Sequence, residues 1–441
     1  MASFLIMDTA LAMALAKRLR DEGHKVFYWV NWARAHPEIY ETTYGKGLFE
    51  EWGVKKVEGF LDIAKSVDCV VSTDVGFGQE VDGLREDGIK VFGAGAGIAR
   101  LELDRKAGKQ VMRDVGIQTP RSEAFQDVKK AIQTVQNGKV GYCVKVSEMM
   151  AKGTYVGRAP QDTLDYLEKV KEKAGDKADL ILEEKVEGVE MAVGGFFDGK
   201  KFIQPLCLNF EEKRLVAGGQ GALTGEMGTS LRYVMGGKFF DETLAKLEGI
   251  LAEGDRFRGY FDINAIVNED GIFGIEFTAR FGYPLLLIQM ALHKDGVGDL
   301  LMKCAFGEKD ISPQIMRGWA VGVTLNIGSY PFDECFEQYD WEVVNGIPEA
   351  EENGCDIQPF GLVLEDGIYK VLPGMGRILC SNGVDERLPV ARRNALDAFD
   401  YVKVNDGHYR NDIGMRVTYA GERLKKLGYF DDELLKSVEE A

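Results

Sequence analysis

The chain has 441 residues, too many for one hydrophobic core, and 45% hydrophobic with 28% charged residues excludes a disordered tract, a collagen-like repeat or a disulfide-scaffold peptide. Acidic side chains outnumber basic ones by 71 to 54, and the net charge of −17 disfavours nonspecific binding to nucleic acid or anionic lipid while leaving room for a local cationic cleft. The cysteines at 69, 143, 207, 304, 335, 355 and 380 form no CxxC pair, and no apolar run approaches the roughly 18 residues of a membrane span, so the expectation is reduced thiols, no zinc cage and a cytoplasmic protein.

Phe4-Leu5-Ile6-Met7 reads as a strand, Thr9 to Glu22 as a helix closed by Gly23, and Lys25 to Val30 as a second strand. Asp68 to Thr73 and Ile89 to Gly93 repeat the pattern with a helix from Gln79 to Glu86 between them. Residues 1 to 95 therefore predict a parallel sheet of about four strands. A helix from Ala99 to Val115 follows, stopped by Gly116 to Pro120. Residues 120 to 190 predict a small α+β unit: a helix near Val128 to Gln136, a strand Tyr142 to Val146, a loop, a charged helix Asp162 to Lys173 and a strand Leu180 to Leu182. Beyond it, Asp198-Gly199, Glu269-Asp270-Gly271 and Glu365-Asp366-Gly367 separate alternating segments and predict antiparallel hairpins. The acidic tail after Lys425 predicts a helix that frays.

Three stretches carry chemistry. In Gly259 to Gly282, two strands joined at Glu269-Asp270-Gly271 bring Asp262 and Glu276 together on an apolar hairpin, where unpaired carboxylates are costly and a hard divalent cation would satisfy them. Arg280, four residues past Glu276, can reach phosphates that such a cation bridges. In Val144 to Thr154, Lys145 ends a strand and Lys152 sits in a glycine-containing loop, two cations suited to enclosing a triphosphate. The third stretch, Leu180 to Glu190, places Glu183, Val186 and Glu190 at offsets of three and seven. That spacing resembles the adenine hinge and ribose-binding glutamate of ATP-grasp enzymes, with Glu184 in the same hinge; solvated acids on a strand are the competing reading.

In their order along the chain these pieces resemble ATP-grasp ligases. Over nearly its whole length the chain further resembles the phosphoribosylamine-glycine ligase (glycinamide ribonucleotide synthetase) family. Phe92-Gly93, Leu101-Glu102, Lys109, Met112, Gly116-Ile117 and Thr119 track the family's entry into the ATP-grasp part. Lys213-Arg214, then Gly221, Thr224-Gly225 and Met227-Gly228, track its DHKR and GPNTGGMG blocks. Gly376-Arg377-Ile378-Leu379 and Tyr409-Arg410-Asn411-Asp412-Ile413-Gly414 look like its GGRVL and YRxDIG elements. The departures fall in substrate loops. Met7 to Ala14 replaces the glycine-rich GSGGREHA loop, and Ser72 to Phe77, with Asp74, replaces GPEAPL. Ala222, Leu223 and Glu226 stand in the GPNTGGMG block, Glu211-Glu212 open the DHKR block, and Thr278 stands for the asparagine of the metal-binding ExN. The family's first phosphate-contacting lysine falls at Arg105.

The resemblance implies an α/β and α+β multidomain protein. Its expected parts are an N-terminal parallel-sheet (pre-ATP-grasp) domain over 1–100, an ATP-grasp domain over 101–325 with a lid over 120–190, a C-terminal mixed β domain over 326–425 and an acidic helical tail over 426–441. The expected activity is ATP-dependent carboxylate-amine ligation through an acyl phosphate, with an acid, an amine or both differing from the family's. A genuine phosphoribosylamine-glycine ligase and an inactive nucleotide-binding scaffold are the alternatives. ATP and Mg²⁺, or Mn²⁺, are the expected cofactors. Nucleotide would bind between the 120–190 unit and the strands after 190, through Arg105, Lys145, Lys152, Glu183, Glu184, Val186 and Glu190. Glu276, Asp262 and Thr278 would hold metal, and Arg280 and Lys152 would serve catalysis. Asp8, Asp74, Lys213, Arg214, Thr224, Glu226, Arg377 and Arg410 are the expected substrate-facing residues. The partners would be a small carboxylate, an amino acid in the first instance, and an amine, with a modified nucleotide or nucleobase as one candidate acceptor.

Overall fold

The computed structural model describes residues 1–32, 35, 43–138, 140–146, 154–253, 257–328, 330–331 and 337–439. They form two compact units, the larger comprising Met1–Val111, Glu190–Asn264 and Glu276–Ala441, the smaller Met112–Val189 and Ala265–Ile275.

The larger unit begins with strands β1 (Ser3–Asp8), β2 (Lys25–Val30), β3 (Lys55–Lys56), β4 (Cys69–Ser72) and β5 (Val91–Phe92), in a wholly parallel sheet of order β3-β2-β1-β4-β5. Near-continuous apolar runs such as Phe4 to Met7 suit strands buried on both faces, and these four residues are fully buried. The sheet has five strands because β3, two exposed lysines, carries no sequence pattern of its own. The first helix starts at Met13, not at Thr9. Asp8 accepts hydrogen bonds from the Leu11 and Ala12 amides at 2.7 and 3.0 Å, and Ala10 takes a φ of 68°, so the chain turns before it coils. The helix expected from Ala99 to Val115 is likewise two, Ala96–Leu103 and Arg105–Asp114. Asp104 adopts an extended conformation and its carboxylate caps the second helix at the Lys106 and Ala107 amides, 3.0 and 3.1 Å away.

The smaller unit contains β6 (Ser122–Phe125), β7 (Tyr142–Val146), β8 (Thr154–Val156) and β9 (Leu180–Glu184) in the order β6-β9-β7-β8, all neighbours antiparallel. Helices Val128–Asn137 and Pro160–Ala174 enclose a core that includes Val128, Val135, Val144, Leu167 and Leu182. Asp127 caps the first of these helices, and Pro160 opens the second at the position where a missing amide costs nothing.

A second sheet has nine strands. Its members are β10 (Val189–Phe197), β11 (Leu206–Glu211), β14 (Gly228–Val234), β15 (Gly259–Asn268), β16 (Gly271–Thr278), β17 (Trp319–Ile327), β18 (Asp356–Pro359), β21 (Arg377–Asp385) and β22 (Gly407–His408). The order is β16-β15-β10-β11-β14-β17-β21-β18, with β22 paired to β17. Two hairpins stand apart, β12 (Arg214–Val216) with β13 (Gln220–Leu223) and β19 (Leu362–Glu365) with β20 (Ile368–Val371). The second turns at Asp366-Gly367, both with positive φ, as the Asp-Gly signal predicts. The boundary expected at 325/326 falls inside β17, which pairs with β14 on one side and β21 on the other. Within the acidic tail, helix Asp432–Val438 is capped by Asp431 and docked on the fold: Val438 is fully buried, and Ser437 accepts the Trp319 indole N–H at 2.9 Å. Among the described residues no helix is long and apolar enough to cross a membrane.

Candidate active site

Strand alternation builds the centre of the site in the larger unit. Asn209 and Glu211 lie two apart on β11, and Asp262 and Asn264 two apart on β15, so each pair projects from one face of its strand. Lys213, just beyond β11, places its ammonium 3.1 Å from Glu211, 3.2 Å from Glu190 and 3.2 Å from Glu276. Burial alone would discharge it, but Glu211, Glu190 and Glu276 outweigh that and hold its pKa well above the ordinary lysine value. Burial would likewise raise Glu190, and Lys213 and Arg416 overcome it to hold that carboxyl below its usual range.

Asp262 lies deeper, 1% exposed. Its Oδ2 accepts from the Asn209 amide at 2.9 Å, whereas Oδ1 is buried without a hydrogen-bond partner. Burial first, and Glu211 second, push its carboxyl up to about 8. Gly194 on β10 is what allows this packing, because a Cβ there would stand 2.5 Å from Asp262 Oδ2 and 2.1 Å from the Tyr260 hydroxyl. An orphaned buried carboxylate oxygen beside Glu211 and Glu276 is chemically suited to a hard cation. Among the described residues no group of three acids, histidines or cysteines is placed to hold a metal ion, and the Lys213 ammonium lies between Glu211 and Glu276. Thr278 ends β16, half-buried, two residues past Glu276.

Arg280 pairs with Glu102 at 3.1 Å and donates to the Phe281 carbonyl at 2.7 Å, while Glu102 also accepts the Ala279 amide at 2.7 Å. Burial raises the Glu102 carboxyl above its ordinary range despite Arg280. Asp8 closes β1, fully buried, and Asp74 follows β4 with its Oδ1 on the Gly76 amide at 2.7 Å. Asp8 also accepts from the hydroxyls of Tyr28 and Thr73. Arg105 is exposed at the start of helix Arg105–Asp114.

The remaining substrate candidates separate by partner. Arg377 sits between the rings of Tyr330 and Phe360, 5.5 and 5.0 Å from their centroids, and donates to the Tyr330 hydroxyl at 2.7 Å and the Glu226 carbonyl at 3.1 Å. Glu226, 3% exposed, has an unpartnered Oε1, and burial drives its carboxyl well above the ordinary range. Arg410 is committed inside the fold, with bonds of 2.8 and 2.9 Å to Asp412 and 3.1 Å to Glu212, and one to the Arg214 carbonyl at 2.9 Å. Arg214 bonds the Gly221 carbonyl across the β12–β13 hairpin, and Thr224 donates to the Lys213 carbonyl, each at 2.9 Å. These three brace the segment that carries Lys213.

In the smaller unit Lys145 and Glu183 form a buried pair at 3.0 Å on neighbouring strands β7 and β9. Glu184 and Val186 line a cavity of about 450 Å³ with Arg113, Thr119, Arg121 and Phe273. Lys152 lies outside the described residues. Sequence reasoning left out Glu211, Glu102, Glu212 and Arg416 as site residues. Polar residues at alternate positions of an apolar strand, as in Asn209-Phe210-Glu211, were the available signal for the first of them.

Residues 104–285 match the family described as phosphoribosylglycinamide synthetase, ATP-grasp (A) domain. A phosphoribosylamine-glycine ligase of Clostridium acetobutylicum is 25% identical over 385 residues, covering 83% of this chain and 89% of that protein. A trifunctional purine biosynthetic protein adenosine-3 of Bos taurus is 28% identical over 368 residues, covering 79% of this chain but only 35% of its own length. The chain thus spans about a third of that relative. The fold is that of the phosphoribosylamine-glycine ligase of Thermotoga maritima, with a TM-score of 0.71, 21% identity and coverage of 93% of this chain and all of that one.

Proposed function

We propose that this chain, an ATP-grasp protein whose residues 104–285 resemble phosphoribosylglycinamide synthetase, is an ATP-dependent carboxylate-amine ligase that works through an acyl phosphate. The observation that carries this reading is the convergence of Glu190, Glu211 and Glu276 on Lys213 beside the orphaned oxygen of Asp262. Charged groups held this close, with the buried Asp262 oxygen unpartnered among them, fit a site that takes a charged ligand.

In the reaction, a carboxylate oxygen attacks the γ-phosphate of ATP and ADP leaves. The amine nitrogen then adds to the acyl carbon, phosphate departs, and an amide remains after loss of the amine proton. The protein positions the reactants and neutralises charge. Glu276 and Asp262, with the Thr278 hydroxyl, would hold Mg²⁺, or Mn²⁺, which when bound offsets phosphate charge. Arg280, Lys145, Lys152 and Arg105 are the cations assigned to the phosphates, Glu183 to Val186 the segment assigned to adenine and Glu190 the residue assigned to ribose. Lys213 is assigned to the reacting anion, because its charge is secured by three carboxylates.

Similarity over most of the Clostridium acetobutylicum ligase favours one second reading, ordinary phosphoribosylamine-glycine ligation. Asp8 weighs against it, because a carboxylate stands where the glycine-rich loop would meet a phosphate. Calorimetry with MgATP, followed by an ADP-release screen of amino acids with and without amines including phosphoribosylamine, tests both readings. Absence of nucleotide binding at millimolar MgATP defeats the ligase reading. Rapid turnover of phosphoribosylamine with glycine establishes the second.

A further inference from the structure

We infer that the acceptor held at the carboxyl ends of β1 and β4 is a non-phosphorylated, positively charged amine; this rests on the ligase reading above. In the order β3-β2-β1-β4-β5 the direction of winding reverses between β1 and β4, and ligands of such sheets enter the crevice there. An anion in that crevice would be met by the free amides that precede helix Met13–Asp21. This chain has already used them. Asp8 Oδ2 accepts from Leu11 and Ala12 at 2.7 and 3.0 Å and from the Tyr28 hydroxyl, and Thr73 bonds Oδ1. The anion seat holds the protein's own carboxylate.

The charges around it have the same sign. Asp74 follows β4, and Arg280, paired with Glu102, lies within electrostatic reach of Asp74. A phosphate ester would meet like charge, whereas an ammonium would meet its opposite.

An independent observation points to a ligand. The Tyr283 hydroxyl, on a residue 8% exposed, has no hydrogen-bond partner. It lies within electrostatic reach of Asp8, Asp74 and Arg280 and beside Thr73, whose own hydroxyl proton is directed at Asp8 and the Met7 carbonyl. Burial first and Asp8 second keep it protonated. A buried hydroxyl left open beside carboxylates suits an incoming N–H group.

The test uses the full chain. MgATP calorimetry comes first, and failure to bind nucleotide removes the ligase reading and the acceptor with it, an outcome distinct from the amine arms below. With MgATP binding established, two matched probes, ethanolamine and O-phosphoethanolamine, are titrated alongside putrescine and phosphoribosylamine. The same amines are then screened for ADP release with each common amino acid as the carboxylate. Non-phosphorylated amines should bind about tenfold or more tightly than phosphate esters and should alone stimulate ADP release. Asp8 is too deeply hydrogen-bonded to serve as the test variant, so Asp74→Asn and Tyr283→Phe carry it. Each should raise the amine KM about tenfold while MgATP affinity holds. A phosphate ester bound as tightly as its matched amine overturns the inference. So does nucleotide binding with no amine of either class bound, or an unchanged amine KM in both variants.

Discussion

Lys213 is the residue on which the most charge depends. Replacing it in Lys213→Met leaves Glu190, Glu211 and Glu276 facing one another, and destabilisation of about 1–3 kcal/mol is expected, below the fully buried case because two of the three acids keep some contact with water. Millimolar Mg²⁺ should recover more melting temperature in that variant than in the wild type, which thermal unfolding with and without the ion will read. Glu276→Gln should abolish turnover while leaving the melting temperature nearly unchanged, since a half-exposed acid held for a cation does little for the empty fold. A large stability loss in Glu276→Gln would assign that acid to the hairpin and not to chemistry. His293 gives a prediction away from the site. It is buried against Tyr233 at 2.8 Å, and burial lowers its pKa to about 4 from 6.5. The folded state therefore binds fewer protons than the unfolded state between those values, so stability is complete above pH 6.5 and falls as the pH drops toward 4, by about 3 kcal/mol. His293→Gln should flatten that part of the unfolding free-energy profile. The sequence marks Asp262, Glu276 and Arg280 as candidates because charges on an apolar hairpin stand out. It hid Glu102, whose partner lies far along the chain, bonded 177 residues away at Ala279.

Elements were legible where the pattern is local. β2 and β7 fall at the residues that alternation and β-branching mark, and the Asp366-Gly367 turn follows from its dipeptide. They were misread where a side chain reaches back to the backbone, as Asp8 and Asp104 do in delaying or breaking a helix. In the smaller unit Leu167 is fully buried between the helix and the sheet. Leu167→Ala should cost about 2–5 kcal/mol there, and hydrogen exchange should show amides of β7 and β9 losing protection before those of β1 and β4.

At the scale of the whole molecule, ligand binding is the clearest reporter of function. Nucleotide that binds only the folded chain should stabilise it by about 2.7 kcal/mol at a hundredfold excess over Kd, and a melting temperature indifferent to MgATP would argue against the assignment. The nine-stranded sheet has a further consequence, and it concerns time. β14 pairs with β17, which is encoded well downstream, and the indole N–H of Trp319 on β17 finds its acceptor in Ser437, later still. On a ribosome adding about 5–20 residues per second, the apolar edge of β14 waits several seconds for its neighbour, and the indole of Trp319 waits longer still. A nascent chain halted before helix Asp432–Val438 leaves that indole N–H without its acceptor, and such a stalled species is the one expected to engage chaperones.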